Sequence, residues 1–219
     1  PTDKAFVDSL EDNIRKRGAM DKLISDRASS EISNRVKDLL RAYRISDYQS
    51  EPKHQHQNFA ERRYQTGKRF TNKVLDRSGA PANCWLLAVL YVIFILNRIA
   101  TESLAWRTPL EKLTGETPDI SPILKYEFYE PIYFATDAAL ETPKQTPFPS
   151  GVHESQGYFV GFGDNVGDAL TYKVLTKDTQ KIIFRSNVRS ALSLEDRNKR
   201  LETPDWEESA PRSEEHTSE

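Results

Sequence analysis

The 219-residue sequence predicts an α/β chain. A layered α/β part over residues 1–100 leads into a small antiparallel β module over roughly 127–192. Three observations predict it. In the first part apolar residues recur at spacings of three and four, with two short apolar strands between the helical segments. The run CWLLAVLYVIFIL, Cys84 to Leu96, supplies one wholly apolar helix. From Tyr126 the composition changes to short β-rich runs, IYFAT, GYFVGFG, ALTYKVLT and KIIFRSNV, punctuated by Gly, Asp, Pro and Thr.

The elements follow in order. DKAFVDSLEDNIRKRG opens with acidic residues, closes with basic ones and stops at Gly18, the charge order a helix dipole favours. DKLISD, Asp21 to Asp26, is a short strand ending in a carboxylate. SSEISNRVKDLLRAYRI is a helix with Ile32, Val36, Leu39, Leu40 and Tyr43 on its apolar face, and ISDYQSEP a second strand closed by Pro52. The next helix runs from about Asn58 to Asp76, with Glu61, Gln65, Lys68 and Asn72 in one polar stripe at i, i+4, i+7 and i+11. Phe59, Phe70 and Val74 are left to pack elsewhere. After the SGAP break comes the apolar helix. TPLEKLTG is a short helix with a capping box, Thr108 to Glu111, Pro109 at its first position and Gly115 at its end. In ALTYKVL, Leu170, Tyr172 and Val174 alternate with Thr171 and Lys173, which predicts one buried and one wet face. Residues 139–155 form a long, proline-spaced loop. Residues 193–219, with nine acids against four bases, are expected to be a disordered tail. The terminal RSEEHTSE resembles a translated sequencing-adapter oligonucleotide and is set aside from the fold.

Charge is distributed unevenly. Residues 1–80 carry 17 Lys/Arg against 12 Asp/Glu, and the stretch Lys53–Arg77 alone holds seven basic residues and two acidic ones. A local excess of this sort concerns partners and not fold. Cys84 is the only cysteine, so no intrachain disulfide can form, and a reducing, intracellular compartment is the natural reading. Four histidines (His54, His56, His153 and His216) are too scattered for a zinc cluster. Thirteen apolar residues from Cys84 extend only about 20 Å as a helix, short of the roughly 30 Å of a bilayer core, so no membrane partner is expected. The chain opens at Pro1 and its only methionine is Met20, which suggests a fragment.

With motifs in order over nearly the whole chain to about residue 192, LISDRASSEI, SEPKHQHQNFAERRYQT, CWLLAVLYVIFILNR, TPLEKLTGETPDIS, GYFVGFGDNVGDALTYKV and IIFRSNVRSA resemble the integrase region of a copia-type LTR retrotransposon polyprotein. The resemblance implies a partial RNase H-like integrase core at 1–105, a connecting helix and linker at 106–126, and a small SH3-like antiparallel β module at 127–192. It also implies a D,D,E carboxylate triad. Asp26 matches the second aspartate and Glu61 the glutamate, with 34 residues between them. No residue here matches the first aspartate, which in the family precedes the helix that opens this chain. Two positions depart from the pattern. Arg27 and Ala28 follow Asp26 where the family has SDNG or similar, and Phe59 replaces the glycine of QNG.

The implied activity is metal-dependent polynucleotidyl transfer during DNA integration, with two Mg²⁺ or Mn²⁺ ions as cofactors and no small-molecule substrate. Hard oxygen donors suit such ions, and carboxylates provide them. Asp26 and Glu61 are the implied catalytic and metal residues. The implied partners are element-end and target DNA and further copies of the chain, in a nuclear setting. Lys68 is expected on phosphate, Gln65 on DNA less specifically, and Arg62, Arg63 and Arg69 around the same helix. With the first aspartate unmatched, the chain alone is expected to be inactive. Taken singly, Asp26 reads as a strand-end cap or turn former, and the cations are equally solvated surface residues. Trp85, Tyr91 and Phe94 are expected in the core or at a subunit contact. Lys173, Lys181, Arg185 and Arg189 suit phosphate or an ordinary wet sheet face. The alternative to an enzyme fragment is a non-catalytic nucleic-acid-binding or oligomerisation module, or a fragment with no partner.

Overall fold

The computed structural model describes residues 2–25, 33–50, 59–136, 153–163, 166–167 and 170–202. Asp26, His54, His56, most of the 139–155 loop and the tail from 203 therefore lie outside the described residues. The fold is mixed α/β, as the sequence predicts, with helices and an antiparallel sheet. It groups into two compact units, Pro1–Lys68 and Arg69–Glu219.

In the first unit α1, Asp3–Arg17, is capped by Thr2, whose hydroxyl accepts from the Ala5 amide. It ends where Gly18 turns to φ +86°, with the Gly18 amide donating to the Ile14 carbonyl. Leu10 and Ile14 bury against Val36 and Leu40 of α2, Asn34–Ala42, with Ile45 completing the cluster. Val36 is wholly inaccessible, and burying a side chain of this kind contributes about 1.5–3 kcal/mol. Strand β1, Lys22–Ser25, pairs in parallel with β2, Ser46–Gln49, from Lys22 opposite Ser46 to Ser25 opposite Gln49. Parallel neighbours need a crossover, and α2 supplies it. The two strands end together: the Ser50 amide donates to the Ser25 carbonyl at 2.8 Å and the Ser50 hydroxyl reaches it at 3.1 Å.

Helix α3, Phe59–Ser78, runs through the boundary between the units. In the second unit a 3₁₀ turn at Ala82–Cys84 leads into α4, Trp85–Leu96. Ala88, Tyr91 and Val92 of α4 bury against the sheet. The Tyr91 ring lies 5.2 Å from Phe128 and 6.0 Å from Phe159, and Phe94 stacks on Phe162 at 4.4 Å. Helix α5, Pro109–Thr114, has the predicted cap: the Thr108 hydroxyl accepts from the Glu111 amide at 3.0 Å, and Gly115 sits at φ +81°.

The sheet is antiparallel, formed by β3, Pro131–Ala135; β4, Glu154–Phe162; β5, Tyr172–Thr176; β6, Ile182–Arg185; and β7, Val188–Ser190. Its order, β6-β5-β4-β3-β7, is a four-strand meander with the last strand returning beside the first, which suits a small SH3-like module. A bulge between Phe159 and Gly161 bends β4, and Phe159, Val160 and Phe162 are all buried around it. The helix Lys199–Glu202, α6, follows the sheet.

Two expectations need restating. Leu170 is 40% exposed while Thr171 is buried, because Gly163 and Gly167 both lie against Thr171 and the Gly163 amide donates to its carbonyl. Trp85 is 57% exposed and so is not a core residue of this chain, whereas Tyr91 is buried and Phe94 partly so. Within the second unit α4 and the sheet share one core.

Candidate nucleic-acid interface

Helix α3 brings together most of the residues singled out from the sequence. Glu61 stands in its first turn and is half-buried, while Arg62, Arg63, Gln65, Lys68 and Arg69 are exposed along the following turns. The buried side of the helix is carried by Thr71, with Val74 and Leu75 packed against the second unit's core. Thus the sequence divides α3 into a packed side and a wet side bearing the cations. Phe70, expected to pack away, is 38% exposed, with the Arg69 guanidinium 5.7 Å and the Lys73 ammonium 5.9 Å from its ring centre.

A residue missed by sequence reasoning joins this side. Tyr64 is 65% exposed, and the Lys68 ammonium stands 5.4 Å above its ring. The signal was available, since Tyr64 and Lys68 are four residues apart on a helix.

Strand β1 ends at Ser25, one residue before Asp26 in the chain. Ligands of open α/β sheets gather outside the carboxyl ends of the strands. Here that end is polar: Ser25 and Ser50 are both buried, and the Ser25 hydroxyl finds no hydrogen-bond partner among the described residues. An orphaned buried hydroxyl suits an end that receives a polar ligand or water. Among the described residues no group of three His, Cys, Asp or Glu side chains could hold a metal ion; of the two matched triad members Glu61 is described and Asp26 is not.

Elsewhere the sequence-predicted cations divide. Arg189 is committed to Glu154, with Nε donating to Oε1 at 2.8 Å and Nη2 to Oε2 at 2.6 Å, and its guanidinium lies over the Tyr133 ring at 4.6 Å. It is therefore a structural cation of the sheet. Lys181 is exposed, and Lys173 and Arg185 are half-buried. In the second unit a cleft of about 590 Å³ is lined in part by Arg77, Tyr91, Lys125, Tyr126, Glu127 and Glu130. Its charges are of both signs, which gives no preference for an anion. Cys84 is buried in the second unit's core, and burial pushes its thiol up, away from the thiolate form that nucleophilic cysteines need. No helix among the described residues is long and apolar enough to cross a membrane.

No family model and no curated protein matches the chain. Among solved structures, the HTLV-2 integrase catalytic core domain in complex with magnesium is 17% identical, with a TM-score of 0.41 over 51% of this chain and 70% of that one. An intasome of simian T-cell lymphotropic virus in complex with PP2A regulatory subunit B56 gamma is 13% identical. Its TM-score is 0.43 over 89% of this chain and 66% of that one. This chain thus spans about two thirds of the length of each, and likenesses at this level carry no residue-by-residue correspondence.

Proposed function

We propose that this chain is the second half of a retroviral-type integrase core of the copia class, with its connecting helices and β module, and that it holds DNA along α3. The observation that carries the reading is α3 itself. A half-buried carboxylate stands in its first turn, and exposed cations fill the turns that follow. The same reading draws on the parallel β1–α2–β2 unit, whose first strand ends at the buried Ser25, the residue before Asp26 in the sequence, and on the ordered motifs of the sequence. In the parent enzyme Asp26 and Glu61 would hold Mg²⁺ or Mn²⁺, which supplies charge neutralisation and nucleophile activation at phosphorus. Lys68, with Arg62, Arg63 and Arg69, neutralises phosphates, and Gln65 contacts DNA without reading sequence. Further copies of the chain and a nuclear setting belong to the same reading.

A second reading, a binding module without catalysis, rests on the exposed cations of α3 alone. Fluorescence anisotropy with labelled duplex DNA at several salt concentrations tests the shared part. Affinity should fall steeply as salt rises, with a slope set by the number of phosphates neutralised. A chain that does not bind DNA overturns both readings. With Mn²⁺ and a labelled DNA end, this chain alone should give no joined product. Product that disappears in Glu61→Gln would instead show a complete active centre.

A further inference from the structure

An exposed ring by itself signifies nothing, since single apolar residues are common on protein surfaces. What distinguishes Tyr64 is its company. Its ring is 65% exposed, more than Tyr43 at 49% or Tyr48 at 47%, and it stands on the helix that carries the local cationic excess. Arg62 and Arg63 precede it, and the Lys68 ammonium stands over one ring face at 5.4 Å. That contact holds the ring by a cation–π attraction and leaves most of it to solvent. One helical turn, about 5.4 Å, separates the two residues along the axis. A nucleotide laid along α3 can therefore set its base on the ring and its phosphate at the ammonium.

A duplex cannot use such a ring, because its bases are already stacked and their faces are hidden. An unpaired base can, and proteins that hold single strands combine a cationic track with aromatic side chains in this way. An acidic protein surface would satisfy the cations but leave the ring without a matching partner.

We propose that Tyr64 is a base-stacking residue, and that with Lys68 it makes α3 a site for an unpaired nucleotide, such as a frayed or overhanging DNA end. The inference rests on the proposed DNA-binding reading and deepens it. Three probes separate the two: a fluorescein-labelled oligothymidylate, a blunt duplex of the same length, and heparin as a polyanion without bases. The full chain is titrated with each, as are Tyr64→Ala and Tyr64→Phe. Tyr64→Ala should weaken oligothymidylate binding roughly 5- to 100-fold, the value of one base–aromatic stack, with duplex and heparin binding unchanged. Tyr64→Phe should restore it, because the ring and not the hydroxyl does the stacking. Equal oligothymidylate affinity in Tyr64→Ala overturns the inference, as does an equal loss on all three probes. Failure of the unaltered chain to bind any of the three overturns the DNA-binding reading itself.

Discussion

The Arg189 guanidinium grips the Glu154 carboxylate through two hydrogen bonds, 2.8 Å and 2.6 Å long, tying β7 to β4 across the intervening β3. Asn198 donates to the same carboxylate at 2.7 Å, and Arg189 also donates to the Asp196 carbonyl, so the segment beyond the sheet is fastened at one point. The hydrogen bond from Arg189 holds the Glu154 carboxyl below its ordinary range, and that from Asn198 adds to it. A folded pKa below the unfolded one means stability that is present above the unfolded value, about 4.3 for glutamate, and lost as pH falls through the folded value. Glu154→Gln should therefore cost about 1 kcal/mol at neutral pH, with partial exposure of the pair discounted, and the acid limb of stability should flatten. Urea melts at pH 7 and pH 3 measure both effects.

Gly157 of β4 leaves no room for a side chain. A Cβ there would stand 2.7 Å from the Leu175 carbonyl oxygen and 2.7 Å from the Val174 Cγ1, both on the neighbouring β5. Gly157→Ala should destabilise the sheet by about 1–3 kcal/mol through overpacking. Gly67, whose added Cβ would meet nothing within 4 Å, makes the matched control, and Gly67→Ala on the same melt should be neutral or slightly stabilising.

On α3 the cations are separable by their salt signature. Lys68→Ala should reduce the slope of log affinity against log salt by about 1, weakening duplex binding uniformly across sequences. Glu61→Gln should leave that slope unchanged, because Glu61 meets no phosphate in this reading. Anisotropy over a salt series distinguishes the two variants.

Local signals carried most of the fold. The Thr108 cap, the Gly115 terminus, the stop at Gly18 and the strand before Asp26 are each decided by residues within one or two turns of each other, where periodicity and capping act. What escaped were pairings at long sequence separation. Arg189 meets Glu154 across 35 positions, and nothing near either residue marks the other. The burial of Thr171 depends on Gly163 and Gly167, which lie against it, so strand alternation assigned Leu170 and Thr171 to the wrong environments. At the candidate site the cations of α3 were legible because exposure follows from helical spacing. The spacing of Tyr64 from Lys68 was legible too, but its 65% exposure was not, because that depends on what packs around the helix.

The central claim is that Asp26 and Glu61 belong to one metal-binding site beside the cationic face of α3. Anomalous scattering from a manganese-soaked crystal of the whole chain tests it most directly. The reading predicts a peak between the two carboxylates that vanishes in Glu61→Gln. Carboxylates pointing to opposite sides of α3, with no peak near either, would contradict it.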